Sequence, residues 1–175
     1  LGYITMNCAT LGEAMSRIVP YEKLVGDMGV SRIEADSQQV QLVWDCRHQN
    51  AEVRRHMTEE VLASWLLYAR WIADSQLSPS EVWFEHAQPA DVELSEYQSL
   101  FGCPIHFGQP CNALLVPPQY LQIALRQADA NLLRTLEDHA LTLMAGLDSD
   151  EPLPVRVHNA LRLQLKDGLP RKERV

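Results

Sequence analysis

The residues of this chain best suited to contact a small molecule are three tryptophans and two histidines: Trp44, His48, Trp65, Trp83 and His86. Rings as large as tryptophan either fill a core or line a ligand pocket. A place in the core is the first expectation for these rings. Their distribution over two predicted strands and one long predicted helix also places several of them in the layer between sheet and helix, where a small molecule can enter. The two histidines can then add the few polar contacts that orient a ligand. These five residues are the candidate ligand-binding set.

Catalytic and metal-binding patterns are absent from the sequence. It contains no nucleophile elbow, phosphate-binding loop, dinucleotide fingerprint or paired-histidine zinc helix. Cys46 with His48, and Cys103 with His106, offer two metal ligands each, whereas zinc sites use three or four. We therefore expect no enzyme, no metal site and no cofactor. A disulfide between Cys103 and Cys111 stays open, because bridging depends on geometry that sequence does not give.

The charge balance argues against nucleic-acid binding by this piece itself. With 15 Lys and Arg against 23 Asp and Glu, the formal net charge is −8, so the average surface repels phosphate. No apolar run is long enough to cross a membrane, and the first residues lack the order of a secretory signal. We expect a cytoplasmic protein with no membrane segment.

The elements that must position these side chains can be read from capping residues, periodicity and turn residues. Thr10 and Glu13 form a capping box at the start of the first helix. The patterns then predict strands at 31–35 and 39–46, a helix at 52–76, a strand near 82–86, a helix from Pro89 to Phe101, a hairpin of 105–107 with 112–116, and a helix at 129–147. This order, αββαβαββα, favours an α+β domain in which a largely antiparallel sheet of hairpins packs against helices.

The domain prediction places one domain at residues 1–147. Acids and prolines at 148–154 read as a linker, and a short helix at 155–166 follows it.

The helix at 129–147 carries a heptad seam, in which apolar residues recur at alternating spacings of three and four. Such a seam suits a partner helix, so it predicts a homodimer interface. The alternative is that the seam packs on the domain's own sheet, because two heptads are too few to be diagnostic. The residues of the seam are Leu133, Leu136, Ala140, Leu143 and Leu147.

Two blocks of the sequence resemble the N-terminal effector-binding domain of bacterial AraC/XylS-type transcriptional regulators, in the arabinose-binding-domain branch. One block is GYITMNCATLGEAM at residues 2–15. The other lies within residues 84–129, where the matching positions are Tyr97, Phe101, Gly102, Pro104, Phe107, Asn112 and Leu115. Most of these positions look architectural, so their agreement implies a shared fold more than a shared ligand. The name arabinose is a family label, and no effector is assigned from it.

The resemblance implies the function of a regulatory domain that senses a small effector of unknown identity and dimerises. In that family a following pair of helix-turn-helix units binds promoter DNA. LPRKERV at the end of the chain is similar to the approach to those units, so we expect DNA contact to lie beyond Val175. The alternatives are a stand-alone dimerisation or small-molecule-binding module and, less favoured, a small hydrolase-type enzyme.

Overall fold

The computed structural model describes residues 1–147 as six α-helices and five strands. In chain order these are α1 (Gly2–Met6), α2 (Leu11–Ser16), α3 (Ile18–Tyr21), β1 (Gly29–Ala35), β2 (Val40–Cys46), α4 (Ala51–Ala73), β3 (Glu81–Trp83), α5 (Leu94–Phe101), β4 (Ile105–His106), β5 (Ala113–Val116) and α6 (Ala130–Leu147). Short 3₁₀ turns occupy Glu22–Leu24 and Pro118–Gln122. The predicted α+β class is confirmed.

The five strands form one sheet in the order β1-β2-β5-β3-β4. All neighbours are antiparallel except β3 and β4, which run parallel. The largely antiparallel sheet is therefore confirmed, but the predicted hairpin of 105–107 with 112–116 is wrong. β5 lies between β2 and β3, so that Leu114 is opposite both Leu42 and Val82. Leu114 is buried, so the backbone N–H and C=O groups of β5 need hydrogen-bond partners within the sheet, and they find them on both edges. The short strand β4 pairs with the other edge of β3.

Alternation along the strands divides the apolar residues between two faces of the sheet. Leu42, Leu114 and Val82 are aligned across three strands and share one face. Val43, Ala113 and Leu115 share the other face, where they form a buried cluster. The helix α4 packs against β2.

Three predicted helix ends are confirmed by their hydrogen bonds. At the start of α2, Thr10 Oγ1 accepts from the Glu13 backbone N–H at 3.2 Å, and Glu13 Oε2 accepts from the Ala9 backbone N–H at 2.7 Å. Asp129 Oδ1 caps α6 in the same way, at 2.9 and 3.0 Å from two backbone nitrogens of the first turn. Gly102 ends α5 in the left-handed conformation, with φ of 72°.

Other boundaries differ from the prediction. The helix predicted from Pro89 begins at Leu94, because Pro89 is buried in the preceding loop instead of opening the helix. The helix predicted to reach residue 76 ends at Ala73, where Asp74 adopts a left-handed φ of 49°. The helix α1 was not predicted. The predicted linker at 148–154 and the helix at 155–166 lie outside the described residues.

The chain divides into two compact units, Leu1–Glu137 and Asp138–Val175. The sheet and the helices α1 to α5 belong to the first unit. The prediction of a boundary at residues 147 and 148 stays a prediction. Over residues 1–147, no helix has both the length and the apolar character needed to cross a membrane.

Candidate functional site

An apolar cavity of about 330 Å³ lies in the first unit, between the sheet and α4. Its walls come from six helices and strands, α1, α2, α3, β2, α4 and β5, together with the loop after α4 and the 3₁₀ turn Pro118–Gln122. The main contributors are Leu11, Ala14 and Met15 of α2, Leu42 of β2, Trp65, Leu66, Tyr68, Ala69 and Ile72 of α4, Leu114 and Val116 of β5, and Thr5 of α1. The volume falls at the lower end of the range, about 300–1,000 Å³, that is usual for small-molecule sites.

Hydrogen bonds between α1 and α4 close one wall of this cavity. The Tyr68 hydroxyl donates to the Gly2 carbonyl oxygen at 2.6 Å and lies 2.9 Å from Thr5 Oγ1. Thr5 Oγ1 also reaches the Gly2 carbonyl oxygen at 3.0 Å. Burial raises the pKa of Tyr68 above its ordinary value, so the phenol keeps the proton that it donates. We call the contacts among Gly2, Thr5 and Tyr68 the α1 latch.

Within residues 1–147 no side chain that lines the cavity is charged. Among the residues that the structure places on its walls, none is Asp, Glu, Lys, Arg or His. The Ser64 hydroxyl is bonded to Glu60 Oε1 at 2.8 Å. Within residues 1–147, no hydrogen bond engages the side-chain hydroxyls of Ser78 and Tyr120, which also line the cavity. The site can therefore hold an apolar body and offer it a few hydroxyl contacts.

Of the five candidate ligand-binding residues, the structure places Trp65 on the cavity wall and the other four elsewhere. Trp44 is buried with its ring over Gly29, where a Cβ would overlap the indole. Trp83 packs against the buried cluster on the opposite face of the sheet and donates from Nε1 to Glu81 Oε2 at 2.8 Å. His48 Nδ1 accepts from the Asn50 backbone N–H at 3.2 Å, at the start of α4.

His86 lies in an aromatic cluster instead of in the cavity. Its ring centroid is 4.9 Å from that of Phe84 and 5.5 Å from that of Phe107. His86 Nε2 lies 3.4 Å from Glu59 Oε1, the oxygen that accepts from the Tyr97 hydroxyl at 2.5 Å. Burial and the neighbouring carboxylate raise the pKa of Tyr97, which therefore stays a hydrogen-bond donor. This arrangement connects α4 to α5 and to the segment that follows β3, and it holds no activated nucleophile.

Several cavity residues were missed from sequence, namely Thr5, Tyr68, Leu114, Val116 and Tyr120. Strand alternation could have excluded Trp83 from the predicted set. Val82 and Phe84 share one face of the strand, so Trp83, between them, faces the other way and cannot line the same site as His86. For Thr5 and Tyr120, no such local signal exists.

An ion pair connects the end of α2, a helix that lines the cavity, to α6. Arg17, which follows α2, places Nε 2.6 Å from Glu137 Oε1 and Nη2 3.3 Å from Glu13 Oε1. The pair is largely shielded, with side-chain exposures of 28% for Arg17 and 24% for Glu137. The hydrogen bond and charge of Glu137 raise the pKa of Arg17, against the opposing effect of burial, which is the largest single influence. The arginine is therefore charged throughout the physiological range.

The predicted heptad seam on α6 is divided between buried and exposed residues. Leu133 and Ala140 are buried, and Leu136 is half-buried. Leu143 and Leu147 are 49% and 55% exposed. The first part of the seam is thus covered within the chain, whereas its last two leucines are available to a partner.

Residues 1–125 match the family model of the arabinose-binding domain of AraC transcription regulators, N-terminal. Since the match covers most of the chain, the chain belongs to this family. The predicted resemblance and the regulatory class that it implies are confirmed. The members of this family are transcription regulators, not enzymes.

Two similar proteins come from Pseudomonas aeruginosa. The chain is 25% identical over 161 residues to the ornithine utilization regulator, a match that covers 92% of this chain and 47% of that protein. The chain thus spans about half the length of this curated relative. The crystal structure of the transcriptional regulator CdpR superposes with a TM-score of 0.63 at 13% identity, covering 98% of this chain and 64% of that one. At this identity the likeness shows the fold alone.

Proposed function

We propose that residues 1–147 are the effector-sensing and dimerisation part of a cytoplasmic bacterial transcription regulator. Promoter DNA would be bound by another part of the regulator, because the 175-residue chain carries a formal net charge of −8 and repels phosphate. The family assignment supports the regulatory role.

The observation that carries the proposal is the apolar cavity. It is large enough for a small molecule. Its walls come from both helices and strands of the domain, so a bound molecule would contact several of these elements at once. A purely structural dimerisation module has no need of an apolar pocket of about 330 Å³, because the side chains that line it would stabilise the domain more if they packed against one another. The cavity therefore favours a sensor over a ligand-free module.

Within this proposal, Trp65 is the member of the predicted five-residue set that we assign to effector contact. Trp44, Trp83, His48 and His86 support other parts of the domain. The name of the similar regulator mentions ornithine utilization. An amino acid with a carboxylate and two ammonium groups needs several charged partners, and no side chain of the cavity walls within the described residues is charged. We do not propose ornithine as the effector.

The α1 latch and the Arg17–Glu137 pair give such a sensor a physical route to its output. A ligand that repositions α2 would displace Arg17 and so alter the anchoring of Glu137 on α6. The switch requires only that the ligand bind more tightly to one of the two arrangements.

A binding experiment with matched variants tests the proposal. Ala69→Leu projects a larger side chain into the cavity from α4. Ala63→Leu makes the same change on the same helix at a half-buried position that does not line the cavity. Compounds from a metabolite panel that raise the melting temperature of the wild type and of Ala63→Leu should have no effect on Ala69→Leu. Quenching of Trp65 fluorescence, lost in Trp65→Phe, should accompany binding. Compounds that stabilise all three proteins equally would place the ligand site elsewhere and contradict the proposal.

The dimer is the second element of the proposal. The exposed Leu143 and Leu147 support it, because large apolar side chains exposed in a row along a helix are typical of a contact surface.

A further inference from the structure

The walls of the cavity restrict the electrical charge of any molecule that enters it. Within residues 1–147 no side chain that lines the cavity carries a charge, and the walls are built mainly from aliphatic and aromatic side chains. An ionised carboxylate or ammonium group loses its hydration on entering such a site. Without a partner of opposite charge, that loss is not compensated.

The two arginines that adjoin lining residues in sequence already have partners. Arg17, which precedes Ile18, pairs with Glu137 and Glu13. Arg70 follows Ala69 on α4, and its guanidinium donates to three backbone carbonyl oxygens. Nε reaches Leu77 at 2.7 Å, Nη1 reaches Leu100 at 2.8 Å, and Nη2 reaches Phe101 at 3.1 Å. These bonds fix the loop after α4 and the end of α5. Arg70 thus cannot turn towards an anion in the cavity without breaking the hydrogen bonds that hold that loop.

The polar capacity of the walls is also small. The hydrogen of Tyr68 is committed to the α1 latch, and that of Ser64 is committed to Glu60. The hydroxyls of Ser78 and Tyr120 and the indole N–H of Trp65 are the remaining polar side-chain groups that no other described residue engages. A polyol such as a sugar would bury several hydroxyls for three available side-chain partners, and each unpaired hydroxyl costs binding free energy.

We infer that the effector is an uncharged, predominantly hydrocarbon molecule with no more than one or two hydroxyl or carbonyl groups. The inference rests on the proposed function, since it assigns a chemical class to the ligand of the same cavity. Binding is driven by burial of apolar surface against residues such as Leu114, Met15 and Trp65. One polar group of the ligand is oriented by Tyr120 or Ser78.

Three probes that share one hydrocarbon chain test this class. The 175-residue protein is saturated with the uncharged dye N-phenyl-1-naphthylamine, whose fluorescence rises in apolar sites. It is then titrated at neutral pH with 1-octanol, octanoate or octylamine. The head groups are neutral, anionic and cationic at this pH. We expect one dye site per chain, displacement by octanol, and displacement by the two ions that is weaker by about tenfold or more.

The variants locate the site and separate the two possible failures. Ala69→Leu should weaken dye and octanol binding by about tenfold or more, whereas Ala63→Leu should leave both unchanged. If octanoate or octylamine competes as well as octanol and Ala69→Leu blocks it, the neutral class is wrong and the effector site stands. If none of the probes binds the wild type, or if Ala69→Leu binds them as the wild type does, the site and the class are both wrong.

The melting temperatures supply an independent measurement on the same proteins. Ala69→Leu fills empty space, so it should melt no lower than Ala63→Leu. A large drop for Ala69→Leu alone would show that the wall has no room for the added side chain, and would contradict the cavity itself.

Discussion

The ion pair between Arg17 and Glu137 should couple the end of α2 to α6 by a measurable free energy. Exposed pairs contribute about 0.2–1 kcal/mol, whereas breaking a buried pair costs about 3–5 kcal/mol. With side-chain exposures of 28% and 24% and a nitrogen to oxygen distance of 2.6 Å, this pair lies between those limits. We therefore expect a coupling energy of about 1–2 kcal/mol.

A double-mutant cycle measures this coupling. Arg17→Gln, Glu137→Gln and the double variant are unfolded in urea, and the coupling is the departure of the double variant from additivity. Because Arg17 also contacts Glu13, Glu13→Gln serves as the matched control. Its longer pairing distance of 3.3 Å, within one helical turn, should give a smaller coupling to Arg17. A Glu137 coupling below about 0.3 kcal/mol would show that α6 is not held through this pair, and would refute the proposed route from cavity to helix.

Three further outcomes are expected. Burial raises the pKa of the Cys8 thiol from 9.0 to about 11, so the folded state keeps a proton that the unfolded chain loses. The free energy of unfolding should therefore fall by about 2 kcal/mol as the pH rises from 9 to 11. In urea unfolding, Cys8→Ala should show a smaller fall over the same pH range. Gly102→Ala should cost about 1–2 kcal/mol, because φ is 72° and a Cβ would lie 2.7 Å from Ser78 Oγ. Gly108→Ala, with φ of 67° and no atom within 4 Å, should lose less in the same thermal melts. Leu143→Asp should weaken self-association about tenfold or more in sedimentation velocity, and a wild type that is monomeric at tens of micromolar would contradict the dimer.

Local signals predicted the parts of the fold that local contacts determine. The start of α2 follows from Thr10 and Glu13, and the start of α6 follows from Asp129, because in each case a short polar side chain bonds backbone donors within its own first turn. Gly102 is equally local, since its φ of 72° is unfavourable for other residues.

Contacts between distant segments were not predictable in the same way. The turn residues around Gly108 predict that the chain reverses, and they carry no information on which strand β5 will meet. Asn112 shows what decides the pairing. It is buried, its Oδ1 accepts from the Glu85 backbone N–H at 2.9 Å, and its backbone carbonyl accepts from Trp44 N–H at 3.0 Å. One residue thus fixes β5 between two strands that are far away in sequence.

The candidate site was predicted to a smaller extent than the fold. Reasoning from residue type placed Trp65 in the layer between the sheet and α4, where the structure has it. The same reasoning grouped Trp83 with Trp65, although the two rings lie on opposite sides of the sheet. Ring size indicates that a side chain will be covered. Only the pairing of the strands decides what covers it, and the predicted pairing of 105–107 with 112–116 was wrong.

The central position of β5 has a consequence for synthesis of the protein. Leu114 and Val116 line the cavity, yet β5 is the last strand of the sheet to leave the ribosome, and it must enter between two strands already made. Until then β2 and β3 present open edges, a state in which chains tend to associate wrongly. The cavity is therefore complete only after about two thirds of this chain has emerged, and no molecule that binds there could assist the earlier steps of folding.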